Sequence, residues 1–589
     1  MVDHRLYRFA FIPALFAAVA TMFSFEATPE PLEPLAPPAE IAPSAALEFA
    51  SGLPSEDGER VPGSAADRGA ADLVAERFAE VEAGAPGSDE VETSNGTSSN
   101  ELLTLPGDSE RTIVVLAPRN APAGESADQA SQATGALVEI TDALAGGRRD
   151  ATYVLASTAG TAGDGLGVEE LTDRLPGARP EAVFALTAPA AAEPRAPYLL
   201  SASDGRSSPS AGLVATVGNS LSEQARLESS PPGALGSLTR LALPAATGPQ
   251  AELIGREIDA VGITSDGVPS PDGEPEPSPR TLGGVAASTI AAVEAVDDAA
   301  AAPAHGPSSY AVIQGDLIPG WTLSVLALAL IAPALLTSMD AIFRVRRRAG
   351  GAGLAIVWAA SRTAPLLAGV AIAVACSLIG LLPELRPPLP TLFGAGAGGI
   401  AALVLILAAI CASAWAIRIH VVPAELPREA CLAAAGLVCS LAALALWFFN
   451  PYAALLAALA PHVWLVLEDS ERQGAGAAVL AGVLVAATPG AAALILASGS
   501  AEFGGGSPWW ALAAIGDGRL GLGLVLAAAF GLGAQLALVT LAFSPAHRPP
   551  RVDHRKRGRW TDDGRPVGRR EDSLSALQSG EGGHPPDGT

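Results

Sequence analysis

The chain has 589 residues, a formal charge of −25 at neutral pH and a mean hydropathy of +0.34. Its length allows two or three domains, and its acidity argues against nucleic acid as a partner. The four cysteines (Cys376, Cys411, Cys431 and Cys439) all fall in apolar runs, so no disulfide framework holds the rest of the chain. Nearly all basic residues are arginine, a bias that points to a GC-rich bacterial genome.

In chain order, "MVDHRLYR" precedes the apolar run "FAFIPALFAAVATMFSF". Phe25 stands where signal cleavage needs a small residue, so residues 1–26 read as an uncleaved signal-anchor helix. Residues 27–47 are rich in proline and read as a spacer holding the next domain off the membrane. Over 48–300, short buried-strand runs alternate with helical patterns. The strands are "TIVVLAP" (112–118), "ATYVLAS" (151–157), "EAVFALT" (181–187) and "DAVGITS" (259–265); the helices include one capped by Ser64 and "DQASQATGALVEITDAL". That alternation predicts an α/β head, a mostly parallel sheet sandwiched by helices. Its ligand site belongs beyond the C-terminal strand ends. The candidate cleft residues are therefore Arg119, Asn120, Asp128, Ser157, Thr158, Asp164 and Asp266.

A return linker (301–318) leads to an all-α polytopic transmembrane bundle over 319–544, with about seven helices near 320–340, 354–382, 393–417, 430–449, 451–468, 476–498 and 519–543. The loops "FRVRRR" and Arg418–Arg428 and the tail "HRPPRVDHRKRGRW" carry the arginines. The positive-inside rule then places both termini in the cytoplasm and the head outside it, in a multi-pass cell-membrane protein. Residues 545–589 read as a disordered basic tail.

The order of elements in the head resembles the M28 family of zinc aminopeptidases. "RVPGSAADRGAADLVAERF" is similar to that family's Arg-x-Pro-Gly-Ser opening and first helix, and "TIVVLAPRN" to its strand ending Ala-His-x-Asp. "ESADQASQATGALVEITDAL" resembles its Gly-Ala-Asp-Asp-Asn-Ala-Ser-Gly helix start, and "DATYVLASTAG" its strand ending in a Glu-Glu pair. The resemblance implies two zinc ions held by histidine and carboxylate ligands, with a glutamate as base. Carried over, Pro118 stands at the first histidine, Asn120 at the aspartate of that motif, Ala127 (or, with a one-residue slip, Asp128) at the bridging aspartate and Ala159 and Gly160 at the glutamates. His305, in the return linker, is the one histidine between the anchor and the bundle. The family's metal ligands are thus missing, no catalytic residue is assigned, and no cofactor is expected unless the head holds zinc through other ligands.

Within the bundle, His462, Asn450 and Asp340 are the candidate intramembrane residues. Each also has a plainer role: a packed imidazole, a hairpin cap, and a helix pair with Arg344. The layout of anchor, peptidase-like domain and several spans resembles the peptidase-like subunit of the eukaryotic glycolipid-anchor transamidase and the membrane-bound metallopeptidases of the endoplasmic reticulum. Three functions remain open at this point. They are an inactive peptidase-like module that binds a peptide, lipid head group or protein partner; a membrane zinc metallopeptidase; and a transporter or lipid-handling bundle. All three place the chain among membrane lipids.

Overall fold

A computed structural model describes residues 3–121, 126–161, 165–174, 179–229, 232–267, 276–348, 351–385, 389–390, 394–420, 426–468, 475–500, 502–503, 507 and 509–543. Asp164 and the tail 545–589 lie outside the described residues.

The chain opens with α1 (His4–Ala10) and α2 (Ile12–Phe23), then β1 (Glu26–Ala27), α3 (Pro43–Gly52) and α4 (Ala65–Ala79). The hairpin β2 (Ala85–Thr93) and β3 (Gly96–Leu105) follows, then β4 (Thr112–Asn120), α5 (Asp128–Ala145), β5 (Thr152–Thr161), α6 (Val168–Arg174) and β6 (Ala182–Thr187). The head closes with β7 (Leu199–Leu200), α7 (Ala211–Ser220), α8 (Ala234–Ala242), α9 (Pro249–Gly255), β8 (Ala260–Thr264) and α10 (Pro279–Asp298). Its seven-stranded sheet has the order β2-β3-β5-β4-β6-β8-β7. The central strands β5, β4, β6 and β8 are parallel, and β2, β3 and β7 are antiparallel edges.

All nine residues of β4 are buried, because helices cover both faces of the sheet. On one face Ile113, Val115, Tyr153 and Phe184 pack with Val74 of α4, Leu137 of α5 and Ile290 of α10. On the other, Val114, Leu116, Val154 and Val183 pack with Leu171 of α6 and Leu253 of α9. The α/β head expected from strand–helix alternation is present.

Residues 27–47 do not form the expected free spacer. Leu32 and Ile41 pack against the main core of the head, and the Leu32 N–H donates to Thr216 Oγ1 at 3.0 Å. From Pro43 the segment is already α3, lying so close on α5 that a Cβ at Gly135 would meet the Ala46 carbonyl oxygen at 2.2 Å. Apolar residues among the prolines pull the segment onto the head. The return linker is likewise structured, as β9 (Tyr310–Ile313) and β10 (Asp316–Pro319) with β1 on the outer edge.

The bundle comprises α11 (Gly320–Arg348), α12 (Ala352–Ser361), α13 (Ala364–Leu378), α14 (Gly396–His420), α15 (Arg428–Phe449), α16 (Pro451–Leu456), α17 (Val463–Glu468), α18 (Ala475–Ser498), α19 (Trp510–Gly516) and α20 (Leu522–Phe543). Among the described residues, seven helices are long and apolar enough to cross a membrane. They are His4–Phe23, Gly320–Arg348, Ala352–Leu378, Gly396–Arg418, Arg428–Phe449, Gly476–Ser498 and Leu522–Phe543. Six of these fall in 319–544, where about seven were expected. The run 451–468 is not one helix but α16, a 3₁₀ turn at Ala460–His462 and α17. Pro461 sits at the break, where it removes a backbone donor and crowds the preceding turn.

Asp3 pairs with Arg344 at 3.2 Å, joining the start of α1 to the far end of α11. Leu538 and Leu541 of α20 pack with Ala341 and Val345 at that same end. The N-terminus and the end of α20 therefore lie together, remote from the head.

Candidate functional site

The four parallel strands end at Asn120, Thr161, Thr187 and Thr264, and the residues around the first two form one buried polar cluster. Arg119 and Asp67 are both fully buried and pair at 2.8 Å. Arg119 also donates to the Ser157 carbonyl at 3.0 Å, to Ser98 Oγ at 3.0 Å and to the Ser99 carbonyl. Asp67 is placed by α4, whose N-cap Ser64 accepts the Asp67 N–H, and it accepts in turn from Gly63 N at 2.7 Å and Ser98 Oγ at 2.5 Å. Burial alone would raise the Asp67 carboxyl. Arg119 and the hydrogen bonds from Ser98 and Gly63 outweigh it and hold the group below its ordinary value.

Arg60 is the second buried guanidinium. It donates to the carbonyls of Pro54 and Arg119, each at 2.8 Å, and to Ser131 Oγ at 2.8 Å. Burial, and then the neighbouring Arg119, push it down to about 10, so it remains charged at neutral pH. Two cations and one buried anion thus occupy the strand ends.

The residue types needed for a metal are absent at the matching positions. Pro118, Ala127 and Ala159 offer no side-chain ligand. At Gly160 φ is +125°, a backbone that a glutamate would adopt only under strain. The Ala159 and Gly160 N–H groups are instead held by Asn100 Oδ1 at 2.9 Å and Asn120 Oδ1 at 2.8 Å. No group of three or more histidine, cysteine or acidic side chains could hold a metal among the described residues. A divalent cation beside two buried guanidinium groups would also meet strong like-charge repulsion. These residues do not fit a zinc pair.

The cleft candidates separate accordingly. Arg119, Asn120, Ser157 and Thr158 are brought together, but all are buried and line no open surface. Asp128 is exposed in the first turn of α5, and Asp266 lies in another loop, bridged to Arg195. Asp67, Ser98, Asn100 and Ser131 complete the cluster and were missed. The one local signal was Asp67, three residues after a capping serine.

The bundle candidates also find partners. Asp340 pairs with Arg344 at 2.7 Å on the same helix. Asn450 caps α16 by accepting from the N–H groups of Tyr452 and Ala453, and it donates to the Leu241 carbonyl of the head at 2.9 Å. His462 Nε2 faces the Leu330 carbonyl at 3.0 Å, and Nδ1 faces Tyr7 Oη at 3.0 Å. A carbonyl only accepts, so Nε2 carries the proton and Nδ1 accepts from Tyr7. The imidazole thereby ties α1 to the centre of α11.

A further junction escaped sequence inspection. Glu502, in the loop between α18 and α19, is buried against the underside of the head. It accepts from Ser201 N at 2.6 Å and Ala202 N at 2.9 Å, and it pairs with Arg240 at 2.9 Å. Around it Ala202, Ala245 and Ala246 of the head share an apolar cluster with Ala497, Phe503 and Trp510 of the bundle. By contact density, residues 1–542 form one compact unit.

No family model matches the chain, and no curated protein does. Among solved structures it is similar to the glutaminyl cyclase of Fimbriiglobus ruber, at 14% identity and a TM-score of 0.35, covering 45% of this chain and 99% of that one. It is also similar to a zinc aminopeptidase from Bacillus subtilis, at 13% identity and a TM-score of 0.35, covering 48% and 99%. The aminopeptidase LapA of Legionella pneumophila matches at 10% identity and a TM-score of 0.34, covering 44% and 73%. The chemistry assigned to this chain rests on its own residues.

Proposed function

We propose that this multi-pass membrane protein uses its peptidase-like head as a binding and assembly module, without metallopeptidase activity. The observation that carries this reading is the buried Arg60–Arg119–Asp67 network at the ends of β4 and β5, where hydrolysis would need metal ligands. The junction through Glu502 and Asn450 supports it, because it fixes the head's orientation on the bundle. A head so anchored presents one constant surface to a peptide, lipid head group or protein.

In this reading the head faces outward, and the arginine-rich end of α11 and the C-terminal end of α20 lie in the cytoplasm. Seven long helices would leave the two chain ends on opposite sides. The broken segment 451–468 supplies an eighth crossing in pieces, running from Asn450 beside the head to His462 beside Tyr7.

The test is hydrolysis of aminoacyl and peptide substrates by the purified full chain, with added zinc and then with a chelator. The proposal expects no chelator-sensitive turnover. Zinc-dependent release of N-terminal residues, lost on chelation, would restore the metallopeptidase alternative.

A further inference from the structure

Arginines gather at the end of the bundle remote from the head. Arg344 is neutralised there, paired with Asp340 at 2.7 Å and with Asp3 at 3.2 Å. Arg346, Arg347 and Arg348 close α11, and Arg5 and Arg8 lie in the first two turns of the span His4–Phe23. All five are exposed, and among the described residues none has a carboxylate partner. Asp3 and Asp340, the acids at the ends of these two helices, are both engaged by Arg344.

Spacing continues each set into an apolar stripe. On α11, Leu336, Met339, Phe343, Arg346 and Arg347 recur at three- and four-residue intervals, which places them on one helix face. On the first span, Arg5, Arg8, Phe9, Ile12 and Phe16 follow the same spacing. The apolar members of both stripes are exposed. The two helices run in opposite directions, since Asp3 meets Arg344 while Glu26 pairs with Leu317. Both stripes nevertheless carry arginine at the same end and apolar side chains toward the middle.

An orientation signal needs the charge alone; exposed apolar side chains on the same face match an amphiphile with an anionic head. Depth agrees. Helix α11 has 29 residues, a length of about 44 Å against a hydrocarbon core of about 30 Å. Its last turn therefore reaches the head-group layer, and Phe343, about 6 Å before Arg347, lies nearer the acyl chains. We infer that this end of α11, with the first span beside it, is a docking surface for anionic phospholipid. The arginines hold the phosphate, and the apolar stripes receive the acyl chains. The inference rests on α11 being a membrane span and is independent of what the head binds.

The full chain, purified in detergent, is titrated with phosphatidylglycerol and, separately, with phosphatidylcholine of the same acyl chains. Bound lipid is counted by native mass spectrometry, and phosphatidylglycerol should be retained preferentially. Arg346→Gln/Arg347→Gln should lower that retention roughly tenfold, and Arg5→Gln/Arg8→Gln should weaken it as well. Arg346→Lys/Arg347→Lys should keep most of it, because the charge survives. Phe343→Ala leaves every charge in place and should weaken retention several-fold. Arg148→Gln removes an exposed charge from the head and should change nothing. Glycerol phosphate has the anion without the chains and should not displace the lipid. Equal retention of the two lipids, or unchanged phosphatidylglycerol retention in both arginine-to-glutamine variants, overturns the inference. A loss in those variants with Phe343→Ala unchanged also overturns it, leaving an orientation signal only. Should the glutamine variants fail to insert, the lipid preference and Phe343→Ala decide the matter.

Discussion

Arg119 in the head is fully buried, Arg362 in the bundle is half-buried, and the two are held differently. Arg119 meets a carboxylate at 2.8 Å and three further acceptors, and its partner Asp67 is itself fully hydrogen-bonded. Arg362 lies over the Trp358 ring, and its Nε has no hydrogen-bond partner. A buried charge is tolerated when its partners are complete. The Arg119–Asp67 pair is completed within the chain, while Asn120 Nδ2 and Ser157 Oγ beside it have no hydrogen-bond partner.

The head side of that comparison is most sharply tested by Arg119→Leu. It strands Asp67 without a counter-ion and should cost about 3–5 kcal/mol, measured by denaturant unfolding of the solubilised full chain. A loss below about 1 kcal/mol would mean that the pair is not closed as described. Next in size is Glu502→Gln, which removes the charge that holds Arg240 and should cost about 2–3 kcal/mol. Its distinguishing readout is limited proteolysis at the head–bundle junction, which should accelerate while the bundle stays protected.

His462→Leu should cost about 1–2 kcal/mol, through loss of the Tyr7 and Leu330 hydrogen bonds, and should loosen α1. A cysteine pair across α1 and α11 would then cross-link more slowly; unchanged cross-linking would show that the imidazole does not hold the helix. The smallest effect is a pH dependence in α10. Burial, and then Asp298 and Asp297, raise the Glu294 carboxyl to about 7. A raised carboxyl weakens the folded state as pH climbs from the unfolded value near 4.5 through 7, and leaves it unaffected below that window. Glu294→Gln should match the parent at pH 4 and exceed it by roughly 1 kcal/mol at pH 8, allowing for partial solvent screening. An equal gap at both pH values would contradict the assignment.

Much of the head was legible because its central strands are continuous apolar runs and its helices carry caps. The four expected strands match β4, β5, β6 and β8 within a few residues. The β2–β3 hairpin was missed, although Asn95-Gly96 is a strong turn signal, because "APGSDEVETSNGTSS" is too polar to suggest a strand. That the head has no histidine before the return linker could be read from residue types alone. The buried cluster could not, since Arg60, Asp67 and Arg119 are distant in sequence and meet only once the sheet forms. In the bundle, hydropathy found the long helices but counted 451–468 as one, because composition does not register that Asn450 and Pro461 interrupt it. Glu502 lay in a loop whose importance depends on contact with Ser201, 301 residues away in sequence, and with Arg240.

Under the proposed function, two buried guanidinium groups and one carboxylate occupy the strand ends and leave no metal site there. Elemental mass spectrometry of the full chain, purified in detergent and dialysed against zinc, tests it most directly. The account predicts a folded protein without stoichiometric zinc. Retention of about two zinc ions per chain, the complement a two-metal peptidase needs, would contradict it.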